Sequence, residues 1–63
     1  MIELEQNGTW YSIWLDYDGY GTLHKANGKQ QLNSLLDDLI HDVKIDNQFT
    51  LVPILESYYK MSA

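Results

Sequence analysis

Between positions 32 and 43, Leu32, Leu35, Leu36, Leu39, Ile40 and Val43 recur at three- and four-residue spacing. That rhythm is the signature of an amphipathic helix with a broad apolar stripe. It predicts one main helix through KQQLNSLLDDLIHDV, and everything else in the chain must supply a surface for the stripe to cover. Asn27 is the candidate N-cap, with Gln30 three residues later completing a loose capping box, and the helix is expected to end near Asp42.

The N-terminal half carries the other period. In IELEQ, Ile2 and Leu4 point one way while Glu3 and Glu5 point the other, as in a half-buried strand. Asn7-Gly8 follows as a tight-hairpin signal. In TWYSIWLDY, Tyr11, Ile13, Leu15 and Tyr17 line one face; Trp10, Ser12, Trp14 and Asp16 line the other. Aromatic and β-branched content supports a strand there. Asp18-Gly19 begins the next turn, TLHKA at 22–26 returns as a third strand, and Asn27-Gly28 ends it. Gly21 is expected to mark a bulge or a close backbone approach.

VKIDNQ admits either a short strand over 43–46 or a connection, with Asp46-Asn47 as a turn. In TLVPILESYYKM a short second helix fits best, with Thr50 as cap and Pro53 in its first turn, where a missing N–H costs nothing. The expected fold is α+β: residues 1–63 form a small domain with a three-stranded antiparallel sheet, one main helix and a short C-terminal helix, in the order β-β-β-α-(β)-α.

A chain of 63 residues buries only about 60% of its unfolded surface and has little stability to spare. It has no cysteine, which excludes disulfides and thiolate zinc sites. Two tryptophans, five tyrosines and one phenylalanine offer large surfaces to bury instead. A net charge of -5, with no arginine, opposes binding to nucleic-acid backbones and anionic membranes. The acidic, alternating start is unlike a signal peptide, and no apolar run is long enough to cross a bilayer. The expectation is a cytoplasmic protein with no cofactor, no membrane partner and no direct nucleic-acid partner.

LDYDGYGTL, residues 15–23, invites a catalytic or metal reading. Asp16, Asp18 and Gly21 match positions 1, 3 and 6 of a calcium loop, but Tyr20 and Asn27 stand where position 5 and the bidentate glutamate belong. The segment echoes the aspartate pair of haloacid-dehalogenase-like phosphatases, with the threonine displaced by two residues and no room in the chain for their parallel sheet. A hairpin tip bearing acids and a tyrosine accounts for it more simply. His24 paired with Asp16 or Asp18 would resemble a base and its orienter, yet Ser12, Thr22 and Ser34 offer no fixed nucleophile. His41 is expected to meet Asp37 at i,i+4 on the helix surface.

The two-faced strand points to protein binding. If Tyr11, Ile13 and Leu15 cover the helix, Trp10 and Trp14 emerge on the opposite side. Either the C-terminal helix or a curled sheet covers them, or they form an interface, since tryptophan and tyrosine dominate contact energies. Trp10, Trp14 and Tyr20 are the candidate anchors, and Asp16, Asp18, Asp37 and Asp38 the candidate electrostatic residues. Asp37, Asp38 and Asp42 on the helix could also imitate phosphate spacing, as some small phage-encoded inhibitors do. The expected function is a non-enzymatic inhibitor or regulator that occludes a basic, possibly nucleic-acid-binding, surface of a larger protein. The alternative is a structural homo-dimer or higher homo-oligomer joined through the aromatic sheet face.

Overall fold

The computed structural model describes residues 1–62. Strands β1 (Ile2–Asn7), β2 (Trp10–Tyr17) and β3 (Tyr20–Asn27) precede the helix α1 (Lys29–Ile45); a 3₁₀ turn at Phe49–Leu51, a short helix α2 (Val52–Ser57) and a 3₁₀ stretch at Tyr58–Ser62 follow. The strands form an antiparallel meander in the order β1-β2-β3. The expected order of three strands, one main helix and a short second helix is the observed one, without the optional strand between the helices.

Register follows from two tight turns. Asn7 pairs with Trp10 and Tyr17 with Tyr20, so each loop is two residues long. The first loop is Gly8-Thr9, one residue later than the Asn-Gly signal suggested. The second is Asp18-Gly19, with φ of 54° and 80°, as a type I′ turn requires. Asp tolerates that left-handed position better than most side-chain-bearing residues, and glycine carries no Cβ to oppose it.

Tyr11, Ile13, Leu15 and Ala26 face inward and pack with Leu32, Leu36, Leu39 and Val43 of α1 and with Leu51 and Leu55. The strand period of two and the helix period of 3.6 thus meet on one buried surface. Ile2, Leu4 and Tyr17 extend it at the sheet side, and Leu35, Ile40, Tyr58 and Tyr59 at the helical side.

Three local expectations need correction. The N-cap of α1 is Gly28, at φ 87°, and the reciprocal contact runs from the Asn27 backbone N–H to Gln31 Oε1 at 2.9 Å. Asn27 remains the last strand residue, so its side chain is not placed to cap, and Gln30 has no part in the contact. The helix continues past Asp42 to Ile45, which removes any strand over 43–46. It stops where Asn47 adopts φ 60°. Gln48 N–H then donates to the Val43 carbonyl at 2.7 Å and Asn47 N–H to the Lys44 carbonyl at 3.1 Å, the paired bonds of a Schellman terminus. Finally, the cap of α2 is Leu51 rather than Thr50, although Pro53 does lie in the first turn as expected.

Asn47→Ala should therefore lower unfolding stability by about 1–2 kcal/mol, because a Cβ without a polar side chain is disfavoured in the left-handed region. Asn47→Gly should not. Urea denaturation of both variants beside the parent chain measures the difference.

Candidate functional site

The alternation of β2 decides which side chains the sheet turns outward. Cross-strand pairs build the outer face in rows: Glu3–Trp14–Leu23, Glu5–Ser12–Lys25 and Asn7–Trp10–Asn27, with Asp16 beside Gly21 at one end. Every strand residue in the core cluster belongs to the inner face. The C-terminal helix packs on α1, and neither it nor sheet curvature buries the tryptophans. Trp10 is 50% and Leu23 55% exposed; Trp14 is partly covered.

Trp14 owes its cover to Gly21. A Cβ at position 21 would stand against Cη2 and Cζ2 of the indole, too close to coexist, so the ring packs against the glycine of β3. Gly21 pairs with Asp16 in regular register. It is thus a close approach and not a bulge.

Ser12 lies between the two tryptophans and is too small to fill the space. The outer face is consequently notched. One depression of about 320 Å³ is lined by Asn7, Trp10, Ser12 and Lys25. Another of about 120 Å³ is lined by Glu3, Glu5, Ser12, Trp14 and Leu23. The smaller depression, where Glu3 and Glu5 stand beside the Trp14 ring, suits a cationic side chain, which gains from both ring quadrupole and charge; the larger one carries Lys25 and no carboxylate.

The other candidate residues lie elsewhere. Tyr20 is 78% exposed and shares the inner-face side of the hairpin tip with its partner Tyr17. Asp18 accepts from Gln48 Nε2 at 3.4 Å. Asp37 accepts from the Tyr59 hydroxyl, which ties α1 to the C-terminal segment. Asp38 is exposed on α1. Of the seven, only Trp10, Trp14 and Asp16 share the outer face. Leu23, Glu3 and Glu5 complete it. Leu23 could have been found by counting outward from the Asp18-Gly19 turn, which fixes its pairing with Trp14.

The histidine pairings also differ from expectation. His24 is an inner-face residue whose Nε2 lies 2.8 Å from Thr22 Oγ1; Asp16 is on the other side of the sheet. His41 Nδ1 is 3.8 Å from Asp42 on the exposed helix surface, while Asp37 is directed to Tyr59. His24, Thr22, Leu39, Asp42, Ile45 and Asp46 line an open groove of about 270 Å³ between β3 and the end of α1. Among the described residues no group of His, Asp and Glu is arranged to hold a metal ion, and no helix is long and apolar enough to cross a membrane.

Two tyrosine hydroxyls fasten the hairpin and the C-terminus to α1. Tyr17 donates to Asp46. That bond, followed by desolvation and the charges of Asp46, Asp42 and Asp18, pushes its pKa from 10.0 up to about 12. For Tyr59 desolvation comes first, then the hydrogen bond and charge of Asp37, and the value again rises to about 12. Scans of the chain against protein-family models, curated proteins and solved structures return no match.

The folded chain retains these two protons at a pH where the unfolded chain has begun to lose them. Their stabilisation should be complete below pH 10 and decline as pH rises from 10.0 to about 12. Denaturant midpoints recorded across that range should fall for the parent chain. A Tyr17→Phe, Tyr59→Phe double variant should show a flatter alkaline limb.

Proposed function

We propose that this chain is a cytoplasmic, non-enzymatic binding module that inhibits or regulates a larger protein by covering a basic surface of it with the outer face of the sheet. The observation that carries this reading is the exposure of Trp10 and Leu23 beside Trp14 on a face bordered by Glu3, Glu5 and Asp16. Solvated apolar area of this kind is stabilised by contact with another surface. Aromatic anchors supply most of the contact energy, while the surrounding carboxylates set orientation.

The notch over Ser12 gives the recognition a chemistry. A lysine or arginine of the partner enters beside Trp14 and directs its charge toward Glu3 and Glu5, on the β1 side of the notch away from Lys25. Asp37 and Asp38 lie on α1, away from this face, and act at a distance. They add to the net charge of -5, which accelerates encounter with a positive surface at low salt. The mechanism is steric occlusion.

Affinity capture from a lysate of the source cells, followed by calorimetry with the purified partner, tests the reading. The expected partner is basic, stoichiometric and released by salt. Trp10→Ala with Leu23→Ser should weaken it at least roughly thirtyfold, the effect of losing a central anchor. Both side chains are already about half in water, so the fold should survive, as circular dichroism would verify. Undiminished affinity in that variant, or a partner indifferent to Glu3→Lys with Glu5→Lys, would remove the outer face from the mechanism.

A further inference from the structure

The sheet has two unpaired edges, one on β1 and one on β3. Backbone direction alternates along an antiparallel ladder, so one known bond fixes the rest. On β3, the Asn27 N–H turns away from β2 and donates to Gln31 Oε1 at 2.9 Å. Lys25, Leu23 and Gly21 therefore also direct their N–H and C=O groups outward. On β1, Met1 and Asp16 exchange backbone hydrogen bonds of 2.9 and 2.6 Å, which turns Ile2, Leu4 and Gln6 outward.

The two edges differ in how they would meet a copy of themselves. Pairing β1 with β1 about Leu4 sets Glu3 opposite Glu5 twice, a like-charge arrangement that disfavours association. Pairing β3 with β3 about Leu23 sets Leu23 beside its copy and Lys25 opposite Gly21. There the lysine of one copy meets the Trp14 indole that overlies Gly21 in the other, with Asp16 in the next strand. The free segment is also bounded: Gln31 occupies it at Asn27, and the Asp18-Gly19 turn closes it beyond Tyr20. Its centre is Leu23, the one register that engages Gly21, Leu23 and Lys25 in both copies. Clearance exists on the helical side, because Thr22 is exposed and His24 only half-buried.

We propose that the chain forms a two-fold dimer by antiparallel pairing of β3 edges centred on Leu23. Such an interface is isologous and closed. It joins two three-stranded sheets into one continuous sheet with both α1 helices on the same side. The Glu3–Trp14–Leu23 row then runs on through Leu23, Trp14 and Glu3 of the second copy, an apolar strip with a glutamate at each end. The dimer rests on the backbone edge of β3 and not on the partner reading, with Leu23, Lys25, Trp14 and Asp16 at the adjoining rim of the outer face meeting across the seam.

Sedimentation velocity of the full chain from micromolar to millimolar concentration should show mass rising from 7.4 kDa toward twice that value. Hydrogen exchange over the same series should show added protection at the amides of Gly21, Leu23 and Lys25. Leu23→Pro removes an N–H that the monomer does not use, and should leave a folded monomer. Lys25→Asp removes its contact in both copies and should weaken association about two- to thirtyfold, and adding Asp16→Lys should recover it. A mass fixed at 7.4 kDa throughout would overturn the proposal. So would a dimer that survives both Leu23→Pro and Lys25→Asp. If Leu23→Pro does not fold, the exchange pattern and the charge-reversal pair still decide the matter.

Discussion

The packing of the inner face of β2 against the stripe of α1 is the contact on which the rest of this molecule depends. Tyr11, Ile13 and Leu15 meet Leu32, Leu36, Leu39 and Val43 with almost no residual exposure. Because side chains alternate along a strand, burying this set obliges Trp10, Ser12, Trp14 and Asp16 to point the other way. A one-residue slip would bury the tryptophans and expose the core. The two-residue turns at both ends of β2 prevent that slip. The candidate binding face is thus a direct consequence of how the core is made.

The polar contacts show how a short acidic chain uses its carboxylates internally. Asp46 and Asp37 accept from Tyr17 and Tyr59, and Asp18 receives a longer contact from Gln48. These bonds fasten the β2–β3 hairpin and the C-terminal segment to α1 in a chain that has no cysteine for a disulfide. Aspartates that look in the sequence like a ready electrostatic surface are therefore partly structural ties. Their charge still contributes to the field around the protein, which acts over distances near the Debye length, whereas in the proposed complex contact specificity would come from the residues bordering the tryptophans.

The outer face and the β3 edge are two unsatisfied surfaces of different kinds. The face offers apolar area, which has no direction, and a notch with carboxylates, which has one. The edge offers backbone donors and acceptors, whose direction and spacing are fixed. Gly21 belongs to both. It lets the Trp14 ring pack against β3, and in the proposed dimer it would leave space opposite Lys25 of the second copy.

The sequence by itself determined the architecture. Leu32 through Val43 specify a helix, TWYSIWLDY a two-faced strand, and Asp18-Gly19 a tight turn, because each is a local preference or a period that survives without long-range information. It also determined that Trp10 and Trp14 share a face, since parity along one strand needs no partner. Tertiary structure decided the rest. The end of α1 was legible only in part: the Asp46-Asn47 turn is where it stops, and not Asp42, through a left-handed Asn47 and bonds back to Val43 and Lys44. The ties from Tyr17 to Asp46 and from Tyr59 to Asp37 span large sequence separations, so no motif announces them. Likewise, only the packing of α1 on the inner face of the sheet separates Trp10, Trp14 and Asp16 from Tyr20, Asp37 and Asp38. Composition lists those residues together; the pleat and the helix crossing place them on different sides of the molecule.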